Sequence, residues 1–199
     1  MHMKILTLLS LTLVASVASA QDSNQVRKMF EAGQYQQVVE AAPPDAPPDV
    51  LFTAAQSQLK LGASDQAREI YRILAERPDD DAWHFIGVSG QQLVDDQTDA
   101  AAESAERAIA IDDGLADAHY QRGLALAKKQ DWRNAAAEFD RVSELNPSHA
   151  YAHYYGGLMH YRAGRPDRMA IHFEQFLKLA PDAPERPEVL QIMKTVRGR

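Results

Sequence analysis

The chain has 199 residues, 45% hydrophobic and 25% charged, with 21 basic and 28 acidic side chains and no cysteine. The missing cysteine excludes a disulfide scaffold, thiolate zinc sites, a thiol nucleophile and a lipid-bearing cysteine behind a leader. A formal charge of −7 argues against a protein that holds nucleic acid by neutralising phosphates.

Residues 1–20 read MHMKILTLLSLTLVASVASA: a basic start at Lys4, an apolar centre, and Ala18-Ser19-Ala20 before a polar stretch. This is the pattern of a secretory signal peptide, with the cut expected after Ala20. The apolar run Ile5 to Ala20 spans 16 residues, short of the roughly 20 that a membrane-spanning helix needs. The expected mature chain begins at Gln21, carries 20 basic and 28 acidic residues, and has no integral membrane segment. A soluble periplasmic location in a Gram-negative bacterium is the expectation.

The mature chain reads as a single domain, 21–199. Residues 22–47 make a partial unit with a turn at Gly33-Gln34-Tyr35, and it exits through Pro43-Pro44-Asp45-Ala46-Pro47-Pro48. No helix continues through that run. From residue 48 to 183 a period of 34 holds without a gap, giving units 48–81, 82–115, 116–149 and 150–183. Gly123, Ala135, Phe139 and Pro147 of one unit become Gly157, Met169, Phe173 and Pro181 in the next. Going backwards they become Ser89, Ala101, Ala105 and Asp113, then Ala55, Ala67, Tyr71 and Asp79.

Each unit contains two amphipathic stretches around a mid-unit turn, marked by Gly62 and Gly164. Ser64, Thr98 and Asp131 are candidate N-caps of the second helices, and Pro166 a first-turn residue. Small residues let the two helices approach, while Tyr71, Phe139 and Phe173 fill the space between units. Pro184 and Pro187 open a last helix, 184–199, that caps the stack. With small residues at unit positions 8 and 20, an aromatic at 24 and proline at 32, the chain resembles the tetratricopeptide repeat (TPR) family. The resemblance implies an all-α, right-handed superhelical solenoid of antiparallel helix pairs. The unit 82–115, with Ala105 for the aromatic and no proline, is expected to pack more loosely.

Recognisable catalytic chemistry is absent. The sequence has no Gly-rich phosphate loop, no G-x-S-x-G elbow, no H-E-x-x-H helix and no calcium loop. The aspartate runs at 79–81, 95–96 and 112–113 fall at turns, where Asp caps helices. His149, His153 and His160 have spacings that could gather a metal, yet their unit positions are those of packing residues. Neither an enzyme nor a metal or cofactor site is therefore expected.

The family resemblance points instead to the concave face, lined by unit positions 2, 5, 9 and 12. Carried over, these give Phe52, Gln56, Trp83, Ile86, Tyr120, Leu124, Tyr151, Tyr154, Leu158 and Tyr161, and the helical wheel adds Tyr155. Tyrosine combines an apolar body with a polar tip, which suits a groove that holds a peptide. The basic carboxylate clamp of co-chaperone relatives is missing, since Phe52, Gln56, Gly87, Asp117 and Gln121 stand at the corresponding positions. Charge is uneven: residues 76–117 hold twelve acidic and two basic side chains, and Arg162, Arg165 and Arg168 cluster near the C-terminal end. That arginine cluster is a possible contact for an acidic partner. The expected function is a non-enzymatic periplasmic scaffold that binds a protein or peptide in the groove and supports assembly of an envelope complex. A holdase-like chaperone with many clients is the alternative.

Overall fold

The computed structural model describes residues 22–197; the expected signal segment and its cut lie outside the described residues. Among the described residues the chain is all helix and turn. The helices are α1 Ser23–Glu31, α2 Tyr35–Glu40, α3 Pro48–Lys60, α4 Ser64–Ala75, α5 Ala82–Val94, α6 Thr98–Ile111, α7 Ala116–Lys128, α8 Trp132–Leu145, α9 Ala150–Arg162, α10 Pro166–Leu179 and α11 Arg186–Arg197. From α2 onward each packs mainly on its sequence neighbours, so α3 to α10 form four successive helix pairs. The fold is the all-α solenoid that the 34-residue period implies. No helix among the described residues is long and apolar enough to cross a membrane.

The period is visible in the backbone itself. Gly62, Asp96, Gln130 and Gly164 all have positive φ, between 61° and 76°, and they stand one period apart. Each ends the first helix of its unit in the same way. The residue after it donates back to the first helix, as Ala63 N does to Gln58 O at 2.9 Å, Gln97 N to Gln92 O at 2.8 Å, Asp131 N to Leu126 O at 3.0 Å and Arg165 N to His160 O at 2.9 Å. This satisfies carbonyls that the helix end would otherwise leave open. Two of the four positions carry a side chain, so a search for glycine marks only half the turns.

The turn also moves the N-caps. Ala63 and Gln97 take the cap positions of α4 and α6, and Ser64 and Thr98 become first helical residues with no capping bond from those caps. Asp131 does cap α8, its carboxylate accepting from Asn134 N, and Pro166 occupies the first turn of α10.

Small residues set the helix spacing. A Cβ on Gly123 would fall 2.9 Å from the ring of Phe139, and one on Gly157 would fall 2.4 Å from that of Phe173. Phe139 and Phe173 are each fully buried, and Phe139 also stacks on Tyr155 with centroids 5.4 Å apart. The unit 82–115 fills the same positions differently. Buried Ser89 donates to the Ala101 carbonyl at 2.8 Å and accepts from Gln121 Nε2 at 3.2 Å, while Ala101, Ala105 and Ala108 are completely shielded. Its helices approach closely through alanine and buried hydrogen bonds instead of glycine and an aromatic ring.

Candidate functional site: the concave face and its occupant

The first helices α3, α5, α7 and α9 present the expected residues toward a common interior. Phe52, Ile86, Tyr120, Tyr151 and Tyr154 are all buried, with exposures from 0% to 6%. Gln56, Trp83, Leu124, Tyr155, Leu158 and Tyr161 are half-buried. The rings form a continuous set: Phe52 meets Trp83 and Tyr120 at 6.1 Å each, and Tyr154 lies 5.0 Å from Tyr155 and 5.8 Å from Tyr151. Gln56 Nε2 donates to the hydroxyl of buried Tyr71 at 2.6 Å.

The family resemblance implies a groove that holds a partner's peptide, and in the structure part of that surface is already covered. The chain's own N-terminal segment lies on this surface. On α1, Val26, Met29 and Phe30 stand at i, i+3 and i+4, so one face is apolar. Val26 is 0% and Phe30 6% exposed. The Phe30 ring sits 4.8 Å from that of Tyr151, which lies more than a hundred residues away in sequence. Arg27 and Phe30 of α1 line a cavity of about 20 Å³ together with Phe52 and Gln56 of α3, Tyr120 and Asp117 of α7, and His149. Thus α1 bridges the N-terminal ends of α7 and α9 to α3.

A second set of contacts continues the cover. Tyr151 donates to Glu185 at 2.6 Å, and with its proton committed there its oxygen accepts from Tyr35 at 3.4 Å. Glu185 also holds Lys60 at 2.6 Å, and Tyr154 donates to Glu188 at 3.0 Å. Burial, followed by the neighbouring carboxylates, raises the Tyr151 and Tyr154 hydroxyls well above the ordinary tyrosine range. These hydroxyls are therefore fixed donors. The contacts of Phe30, Tyr35 and Lys60 have no local sequence signal, because they join the N-terminal units to the last.

Two ionisable groups lie in the seam under α1. Burial raises Asp117 to about 6, opposed by Arg27. Burial lowers His149 to about 3, and Arg27 pushes in the same direction. His149 stacks on Tyr120 at 5.0 Å, and its Nδ1 accepts from Ala152 N as the cap of α9. At neutral pH it is an uncharged imidazole, and it does not meet His153 or His160. His160 instead approaches Asp140 of α8 together with His172 of α10, which sequence spacing had not connected. Burial alone would raise the Asp140 carboxyl; the two imidazoles outweigh it and hold the group well below the usual range.

Arg162, Arg165 and Arg168 are exposed, with the Arg162 guanidinium 5.8 Å above the Trp132 ring.

A helical-repeat solenoid with a filled inner face is the class of protein that this geometry defines. Two tetratricopeptide repeat models match the sequence, over residues 49–80 and 120–184. Solved TPR structures share the fold. TTC0263, a thermophilic TPR protein of Thermus thermophilus, is 18% identical, with TM-score 0.62, over 89% of this chain and 98% of that one. YrrB, described as a TPR protein with an unusual peptide-binding site, is 17% identical with TM-score 0.53, over 86% and 88%. MamA is 21% identical with TM-score 0.51, over 79% and 92%. No curated protein matches the sequence. The chain belongs to the tetratricopeptide repeat family, whose repeats typically serve as non-catalytic interaction modules.

Proposed function

We propose that this protein is a non-enzymatic interaction scaffold of the bacterial periplasm, and that its concave face binds a short amphipathic helix of an envelope protein. One observation carries the reading: the aromatic inner surface already seats such a helix, α1, through two apolar side chains one turn apart. Intramolecular seating of that kind defines what the surface accepts. A partner would offer an equivalent apolar pair and would displace α1 to enter. The leader favours the periplasm, and the expected cut after Ala20 leaves intact both α1 and Asp22, which caps it. The exposed arginines 162, 165 and 168 offer a second contact for an acidic partner.

Cross-linking in intact cells tests this, using wild type, a release variant (Val26→Asp with Phe30→Asp) and a groove variant (Tyr151→Ala with Tyr154→Ala). The release variant should capture one or two stoichiometric partners more efficiently, and the groove variant should lose them while remaining helical. Unchanged capture by a folded groove variant defeats the assignment. A broad smear of unrelated clients would make the protein a holdase.

A further inference from the structure

A chain of polar contacts runs through α8, α9 and α10, beginning at a backbone carbonyl and ending at a carboxylate. Pro147 O lies 3.2 Å from His153 Nε2, and His153 Nδ1 lies 3.3 Å from His172 Nδ1. His172 Nε2 lies 2.8 Å from Asp140 Oδ1. Each end of this chain can only accept. Between the ends are three contacts and two imidazoles, and a neutral imidazole brings one proton. Two protons leave one of the three contacts without a donor. The carbonyl of Pro147 can only accept, so it orders the His153 proton onto Nε2. His153 Nδ1 then accepts from His172 Nδ1. In that arrangement His172 Nε2 turns its lone pair to the Asp140 carboxylate, a contact that either a proton or a metal ion between them would complete.

A third imidazole converges on that contact. His160 Nε2 lies 2.9 Å from the same Asp140 oxygen and its Nδ1 is buried without a hydrogen-bond partner, so the carboxylate alone orders the His160 proton, and a metal ion at Nε2 would leave that proton on Nδ1. One ligand atom from each of Asp140, His160 and His172 lies within 4.8 Å of the others. The site is built into the packing: a Cβ on Gly156 would fall 2.7 Å from His172 Nδ1, so the absent side chain there makes room for the ring. The His160 and His172 side chains are 0% and 9% exposed, while Asp140 is 32% exposed and opens to solvent.

We propose that Asp140, His160 and His172 bind a divalent transition metal of the zinc class, with Asp140 on the solvent side. Two imidazoles and one carboxylate are a borderline donor set that suits zinc and leaves a coordination position open. Tetrahedral bonds of about 2.0 Å separate ligand atoms by about 3.3 Å. The Asp140 contacts at 2.8 and 2.9 Å would lengthen by about half an ångström, and the two imidazole nitrogens would settle at the same separation. His153 is the positioning residue that sets the His172 tautomer, whereas His160 lacks such an outer partner, which weakens the site by about 10- to 100-fold. A bound ion would tie the third full repeat to the fourth.

The test is zinc titration of the mature chain by calorimetry, with melting followed by circular dichroism. Wild type should bind one zinc and melt at a higher temperature with it. Asp140→Asn and His172→Gln should lose both effects, and His153→Gln should bind about 10- to 100-fold more weakly. No binding, or equal binding by folded Asp140→Asn, overturns the proposal and leaves a proton in the third contact. If the histidine variants do not fold, cobalt(II) on wild type decides. Intense tetrahedral absorption supports the site, and the weak spectrum of an octahedral surface ion overturns it.

Discussion

The units 82–115 and 150–183 occupy equivalent places in one repeat pattern and close their helix pairs by opposite chemistry. In the later unit a ring, Phe173, presses on bare backbone at Gly157. In the earlier one Ser89, Ala101 and Ala105 meet without any ring, and a buried Ser89 hydroxyl links Gln121 to the Ala101 carbonyl. The sequence suggests looseness in the earlier unit because it lacks the aromatic. The structure shows a close seam held by small side chains and hydrogen bonds, so the pattern specifies a separation between helices and leaves open how it is filled.

Truncation separates the two designs most strongly. Phe173→Ala should cost about 3–5 kcal/mol, since it empties a fully buried site, whereas Ser89→Ala should cost about 1–2 kcal/mol for the unpaired Gln121 amide. Urea unfolding of both variants measures the difference, and equal losses would erase the distinction.

The units also begin differently. Asp81 caps α5, accepting from Trp83 N at 2.9 Å, while His149 caps α9 from a buried position. A base whose folded pKa is depressed from 6.5 to about 3 is neutral in the fold and takes up a proton on unfolding. Its contribution is full above pH 6.5 and is lost as pH falls toward 3. His149→Asn keeps a capping acceptor and removes the titration, so the stability lost between pH 7 and pH 5 should shrink by about 2 kcal/mol. Asp117, raised by burial to about 6, works the other way: its contribution is full below about 3.8 and declines as pH rises through 6. Unfolding curves at both pH values should therefore be steeper in pH for Asp117→Asn than for wild type.

The smallest effect concerns the mid-unit turn. Gly164 takes its positive φ freely, and Asp96 holds φ 61° with a side chain. Asp96→Gly should raise stability by less than about 1 kcal/mol, read as a slightly higher melting temperature.

The period, the small residues and rings at fixed unit positions, and the end helix all have local signals, whereas the sequence reading puts Phe139 and Phe173 between units and the structure presses them on Gly123 and Gly157 of their own units. Helical spacing also places Tyr151, Tyr154 and Tyr155 on the inner side. Spacing could not show that Val26 and Phe30 lie on that surface, because a repeat pattern describes neighbours along the stack and α1 contacts units far from its own. For the same reason His149, His153 and His160 looked like one cluster on a single helix. In space the convergence is of His160 with Asp140 and His172, each from a different helix.

The salt bridge from Lys60 to Glu185, with Tyr35 reaching Tyr151, changes how this molecule should come apart. An open repeat array can peel from either end, one unit at a time, because each unit depends only on its neighbours. Here the first and last units are also neighbours, and neither can fray without breaking the other's contacts. The solenoid has lost its free ends, so its unfolding should resemble that of a globular domain.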